Sequence, residues 1–257
     1  MYGDIMRISR IRMATDGSGV STLVAFWGCP LRCKYCINDQ CHDREGNLND
    51  TIRGAYSPEE LIKVVSKDDL YFKMTGGGIV FGGGEPLLQP QFIHEVCELA
   101  DPAWYRRIET SLNANWKDFR FLVDDIDEWI IDIKDMNSEI YKKYTGKSNE
   151  RVVCNLKMLI KRVPSKKIWI RVPHIPGYNK DEDVEKSIRT LRELGFRNID
   201  EFVYESTHFV KIENKGKREI SLPGIIVSAT PSVETAMKTE NDLVRGKTGK
   251  RKTDGLA

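Results

Sequence analysis

Ser21-Thr22-Leu23-Val24-Ala25-Phe26-Trp27-Gly28-Cys29-Pro30-Leu31-Arg32-Cys33-Lys34-Tyr35-Cys36 decides how the chain is read. Residues 21–27, rich in β-branched, aromatic and other apolar side chains, read as a buried β-strand. The strand delivers a loop with three thiols. Cys29, Cys33 and Cys36 are spaced C-x3-C-x2-C, so their sulfurs can converge on one face of a tight loop, which suits a metal cluster better than a ladder of disulfides. Cys41 follows five residues later, and the simplest count is three protein ligands with one metal position left open. An open position lets an exogenous molecule bind the metal, a catalytic rather than a structural arrangement. In parallel α/β folds, sites lie beyond the carboxyl ends of the strands, where this loop stands.

At 257 residues the chain fits one or two domains, and α/β barrels of this length fold as one unit. Such a chain buries roughly three-quarters of its unfolded surface and needs no disulfides. The 40 basic and 38 acidic residues leave no global field for nucleic acid or an anionic membrane. Four of the six cysteines lie between Cys29 and Cys41, a metal-type cluster in a reducing compartment rather than a secreted framework. No apolar run is long enough to span a bilayer, so the expectation is a soluble, cytoplasmic protein.

In chain order, a short polar start leads to the turn Asp16-Gly17-Ser18-Gly19. Residues 37–56 are polar and read as a loop over the cluster. Ser57-Pro58-Glu59-Glu60 opens a helix with a Ser cap, Pro at the first helical position and Glu three residues after the cap. Residues 76–88 hold a short strand bracketed by glycines. Helical patterns follow at 91–99, 117–123, 151–162 and 181–194, and strand patterns at 107–111, 128–132, 167–172 and 199–204. Strand and helix alternate about six times, which predicts an α/β fold with a parallel sheet rolled into an incomplete (β/α)6 TIM-like barrel. The barrel is expected over residues 1–207. Residues 208–257 read as a divergent C-terminal extension, with a possible strand pair around Pro223-Gly224 and a basic, disordered, solvated tail at 245–252.

Three further motifs fall at strand ends. A zwitterionic ligand on an open metal needs acceptors for its ammonium and donors for its carboxylate. Gly82-Gly83-Gly84-Glu85 offers close backbone approach and a carboxylate. Asp132-Ile133-Lys134 puts an acid and a base on one face by the two-residue period, with Lys134 a candidate carboxylate anchor; the plainer alternative is a local Asp–Lys pair. Arg171-Val172-Pro173-His174-Ile175-Pro176-Gly177 ends the next strand with a rigid loop. Arg171 is a further ligand candidate, and His174 is left without a role.

Together with these motifs, Gly76-Gly77-Gly78, Pro86-Leu87-Leu88-Gln89 and Asp135-Met136-Asn137 occur in the order of the glycyl-radical-enzyme activating enzymes. Over roughly residues 10–205 the chain resembles these members of the radical S-adenosylmethionine (SAM) superfamily, the pyruvate formate-lyase activating type most closely. The resemblance implies a radical SAM barrel, a [4Fe–4S] cluster on Cys29, Cys33 and Cys36, and reductive cleavage of SAM at its open iron. The resulting 5′-deoxyadenosyl radical would take hydrogen from a glycine of a partner glycyl radical enzyme, after reduction by a flavodoxin or ferredoxin-type donor. It further implies that Tyr35 and Ile37 lie against the ligand, that Gly83, Gly84 and Glu85 meet its ammonium, and that Asp132, Ile133, Lys134 and Arg171 bind the rest. This family type has Asp before Thr-Asn-Gly where this chain has Ser111-Leu112-Asn113-Ala114, which touches a monovalent cation site. At its Tyr-His pair this chain has Tyr204-Glu205, with His208 three positions on, so Glu205 is the candidate for that cofactor contact. No second C-x2-C group exists for additional clusters, and a monomer without nucleic-acid or membrane partners is expected.

Two other readings stand beside this one. A radical SAM enzyme acting on another peptide or a small molecule would share the cluster and differ only in the acceptor. A zinc-stabilised binding module would use the three early cysteines with Cys41, but zinc does not explain the later strand-end motifs.

Overall fold

The computed structural model describes residues 1–13, 15–43 and 54–203, and the backbone of 220–222 and 225–227. The strands are β1 (Gly3–Met13), β2 (Val20–Phe26), β3 (Gly54–Tyr56), β4 (Gly78–Gly83), β5 (Tyr105–Thr110), β6 (Glu128–Asp132), β7 (Ile168–His174) and β8 (Asn198–Val203), followed by the short β9 (Ile220–Leu222) and β10 (Ile225–Val227). The first eight form one sheet in the order β3-β1-β2-β4-β5-β6-β7-β8. From β2 to β8 every pairing is parallel, giving the six expected strands of the partial barrel. β1 and β3 extend the β2 edge in antiparallel sense.

Helices α1 (Pro58–Val65), α2 (Asp69–Thr75), α3 (Pro90–Leu99), α4 (Trp116–Phe119), α5 (Ser138–Thr145), α6 (Glu150–Leu159) and α7 (Asp181–Glu193) connect the strands. The start of α1 is the capping box read from the sequence: Glu60 N–H donates to the Ser57 hydroxyl and Ser57 N–H to the Glu60 carboxylate. At α5, the Asn137 side chain accepts from the N–H groups of Glu139 and Ile140, and Gly146 closes the helix at φ 77°.

The parallel registers separate two faces. Ile79, Phe81, Ile108, Trp129, Ile131 and Ile170 point outward into one apolar core shared with the helices. Each such side chain contributes about 1.5–3 kcal/mol by leaving water. On the inner face, Leu23, Val80, Arg107 and Glu128 form one row. Glu109, Ile130, Trp169 and Asn198 form the next. Asp132, Arg171 and Asp200 form the third, nearest the carboxyl ends. A closed TIM barrel fills this space with branched apolar side chains; here charge lines it.

Four expectations need correction. The polar start is the 11-residue β1. Register shifts between Ile5 and Arg7 and between Ser9 and Arg12 break its alternation and hid it. The segment read as a loop contains a 3-10 turn at Asp39–His42 and the edge strand β3. Helices α2 and α5 were not foreseen, and the helix expected over 117–123 is one α turn followed by 3-10 turns at Arg120–Val123. The strand pair around residues 223–224 is present as antiparallel β9 and β10. Tyr204, Glu205 and His208 lie outside the described residues, as does most of the extension. Among the described residues no helix is long and apolar enough to cross a membrane.

Candidate active site

The cysteine loop leaves β2 through Gly28, whose φ of 84° suits glycine. Most of it has no regular hydrogen-bonding of its own, so neighbours hold it. Gly28 N–H donates to Cys41 O (2.9 Å), Gly84 N–H to Phe26 O (3.0 Å) and Glu85 N–H to Gly28 O (2.7 Å). A Cβ on Gly84 would stand 2.2 Å from the Gly28 oxygen, so this glycine lets the end of β4 touch the base of the loop. Asn38 Nδ2 donates to Gly83 O at 3.0 Å. On the opposite side the last carbonyls of α5 accept from the loop: Arg32 N–H to Thr145 O (2.9 Å) and Lys34 N–H to Tyr144 O (3.2 Å). Tyr35 donates its hydroxyl to Pro176 O (3.2 Å). Its ring packs with those of Tyr144 and Tyr178 at 6.1 and 5.8 Å. The loop is thus clamped by β4, α5 and the Ile175-Pro176-Gly177 turn.

All three loop thiols are free and half-buried, and Cys41 is buried. Burial, reinforced by the nearby Glu85 charge, pushes the Cys29 thiol well up. Cys33 is also raised by burial, against the pull of the Lys134 ammonium. Burial pushes Cys41 up to about 12. Raised in this way, the Cys29 and Cys33 thiols gain nothing by converging as neutral groups, and among the described residues no three such donors surround one point. A bound iron cluster would supply the missing positive charge and draw three thiolates together, so the donor set fits it. A cavity of about 530 Å³, lined in part by Cys29, Pro30, Cys41 and Leu88, opens beside the loop.

Glu85 is fully buried at the end of β4. Thr110 Oγ1 donates to its Oε1 (2.5 Å), Ser111 N–H and Oγ to its Oε2 (3.0 and 2.5 Å), and Leu87 N–H to Oε1 (3.2 Å). Burial still raises its pKa against these four bonds. The turn that brings Ser111 there forces Leu112 to φ 59°, a disfavoured conformation for a branched side chain. Leu112 N–H donates to Thr110 Oγ1, and Asn155 Nδ2 to Leu112 O, which hold it.

At the ends of β6 and β7 lie two cations among three carboxylates. Lys134 Nζ stands 3.2 Å from Asp132 Oδ2, and Arg171 Nη1 donates to Glu109 Oε1 at 2.9 Å. Burial opposes the charge of Asp132, but Lys134 and Arg171 overcome it and hold its pKa low. Burial raises Glu109 despite Arg171. Burial likewise raises Asp200, against the pull of Arg171.

The structure brings most of the sequence-derived residues together. Cys33 feels the charges of Lys134 and Asp132, and Cys29 that of Glu85. Tyr141 feels Cys33, Lys134 and Glu85 at once. Ile133 and Ile37 are placed differently: Ile133 is buried in the outer core, and Ile37 is 65 % exposed. Gly83 and Gly84 abut the loop backbone. Sequence reading missed Glu109 and Asp200, although each carries a charge on a strand in the inward register. It also missed the Thr110–Ser111 donors and the Tyr144–Tyr178 stack.

The Radical SAM superfamily profile matches residues 24–191, from β2 into α7. An isethionate sulfite-lyase activating enzyme of Oleidesulfovibrio alaskensis is 29 % identical, the match covering 70 % of this chain and 75 % of that protein. A pyruvate formate-lyase-activating enzyme of Clostridium pasteurianum is 30 % identical over 72 % of this chain and 74 % of its own length. In fold, the chain is similar to Streptococcus suis SuiB in its crystal structure bound to precursor peptide SuiA, with a TM-score of 0.52 at 14 % identity, covering 71 % of this chain and 38 % of SuiB. The chain belongs to the radical SAM superfamily, whose members use a [4Fe–4S] cluster and SAM, and within it to the glycyl-radical-enzyme activating enzymes.

Proposed function

We propose that this chain cleaves SAM reductively and uses the resulting carbon radical to take a hydrogen atom from a glycine of a partner glycyl radical enzyme. The observation that carries the reading is the three-cysteine loop at the end of β2, lying within electrostatic reach of Glu85 and of Asp132–Lys134 at the ends of β4 and β6. When bound, the cluster supplies the electron that breaks the C5′–S bond of SAM. The chain's own residues hold and orient. Cys29, Cys33 and Cys36 ligate the cluster, and Gly83, Gly84 and Glu85 face the methionine ammonium. Tyr35, Ile37, Asp132, Lys134, Arg171 and Glu205 take the rest of the ligand, while Ile133, in the outer core, anchors the strand end that carries Asp132 and Lys134. Around this seat the carboxylates of Glu85, Glu109, Asp132 and Asp200 outnumber the cations of Lys134 and Arg171. SAM, with a sulfonium and an ammonium against one carboxylate, is a net cation and suits that excess.

The chain acts as a cytoplasmic, anaerobic monomer, with residues 1–207 as the catalytic unit and 208–257 as an extension, and receives electrons from a flavodoxin or ferredoxin-type donor. Anaerobic reconstitution with iron and sulfide, followed by dithionite and SAM, is expected to release 5′-deoxyadenosine and methionine in equal amounts. Failure to form either product from a cluster-loaded protein would refute the reading.

A further inference from the structure

We propose that the electron enters through a basic face beside the cysteine loop, where an acidic, low-potential one-electron carrier protein docks. The inference rests on the radical SAM reading: the carrier gives one electron, the C5′–S bond of SAM breaks, methionine leaves, and the 5′-carbon takes a hydrogen atom from glycine.

The face is built from two segments that the fold holds in contact. Arg32 and Lys34, on either side of Cys33, are exposed, and their N–H groups donate to Thr145 O and Tyr144 O. That contact sets them against the end of α5, where Lys142, Lys143 and Lys147 are also exposed. Lys143 Nζ lies 5.6 Å above the Tyr178 ring, which packs on Tyr35 and Tyr144, so the aromatic stack ties the two segments together. Among the described residues, none of the five cations forms an ion pair. The acids nearest in sequence, Asp39 on the loop and Glu139 and Glu150 on either side of the three lysines, number three against five cations, which leaves the face cationic. Five exposed cations on two segments joined by backbone hydrogen bonds stand out on a chain whose formal net charge is only +2.

Position and sign select the partner. Cys33 stands between Arg32 and Lys34 in the chain and Cys36 two residues beyond Lys34, so a carrier seated on these cations is separated from the cluster by little protein. The inner face of the barrel carries an excess of acid, with Glu109, Glu128, Asp132 and Asp200 against Arg107 and Arg171 along its rows. An acidic carrier is repelled from the barrel mouth and attracted to the α5 side, which gives electron and substrate separate entrances. Complementary charge of this kind raises association rates more than it deepens final affinity, and salt screens it.

The test compares the cluster-loaded protein with the triple variant Lys142→Gln/Lys143→Gln/Lys147→Gln. None of these residues touches the cluster or SAM seat, and Gln preserves helix propensity at Lys142 and Lys143. With flavodoxin hydroquinone as probe at low ionic strength, the second-order rate of cluster reduction is expected to fall about tenfold or more, with a flatter salt dependence. Flavodoxin affinity for the cluster-free protein should weaken in parallel. Reduction by methyl viologen radical cation should not slow, and a Lys157→Gln/Lys161→Gln control should match the unsubstituted protein. If the triple variant is reduced by flavodoxin at the unsubstituted rate and salt dependence while viologen supports SAM cleavage, the docking face is wrong and the radical SAM reading survives. If viologen-reduced, unsubstituted protein does not cleave SAM, the reading beneath the proposal falls.

Discussion

The two faces of the sheet obey different rules. Outward-facing Phe81, Trp129 and Ile131 are fully buried in a continuous apolar core, where a lost methylene is felt as stability. Inward-facing Arg107, Glu109 and Arg171 are charged and paired across strands, and Asp132 pairs with Lys134 at the end of its own strand. Buried or half-buried ion pairs are poor stabilisers, because desolvation offsets much of their attraction. Their presence on one face marks a surface kept for ligands, while the other face supplies the stability that tolerates it.

The sharpest way to break this contrast is on the outer face. Phe81→Ala is expected to cost about 3–5 kcal/mol in guanidinium unfolding of the cluster-free protein. Glu109→Gln removes the partner of Arg171 from the inner face and is expected to cost only about 1–2 kcal/mol in the same experiment. It should raise the SAM KM severalfold while changing kcat less. Similar unfolding costs for the two variants would contradict the division of labour. Gly84→Ala tests the seam between the faces. Its Cβ meets the Gly28 oxygen at 2.2 Å, so the base of the cysteine loop must shift. Most of the iron taken up on reconstitution should be lost, with the far-ultraviolet circular dichroism unchanged.

The smallest effect lies far from the site. Asp125 hydrogen-bonds His94 at 2.8 Å and raises its pKa above 6.5. A raised folded-state pKa means that the pair stabilises fully below the unfolded value and that this contribution is lost as pH rises through the folded value. Because the pair is partly exposed, its contribution is below about 1 kcal/mol. His94→Gln should lower stability on the acid side of that window and leave it unchanged above; an equal loss at both ends would exclude the pair as the cause.

The sequence revealed the outer face better than the inner one. Residues 128–132 read as a strand because Trp129, Ile130 and Ile131 form an apolar run, and the structure has the same bounds. The cysteine spacing and the strand-end motifs were legible because each is local. β1 was not, since Arg7, Arg10 and Arg12 interrupt its apolar residues and two register shifts spoil the period. α5 was missed because Lys142 and Lys143 make it polar, yet its last carbonyls hold the cysteine loop. Glu109 and Arg171 stand 62 residues apart, and only the register of three parallel strands brings them together. Contacts of that range follow from topology, which no local pattern encodes.

The central claim is that the rim assembled by these strand ends passes a hydrogen atom from a partner's glycine to the 5′-carbon of SAM. The most direct measurement uses a glycyl radical enzyme encoded beside this chain, grown with glycine carrying deuterium at Cα. After anaerobic incubation with the reduced, cluster-loaded protein and SAM, mass spectrometry of the released 5′-deoxyadenosine should show one deuterium gained, together with a glycyl radical signal in the partner. Unlabelled 5′-deoxyadenosine, formed in the presence of that partner and without a radical signal, would contradict the claim.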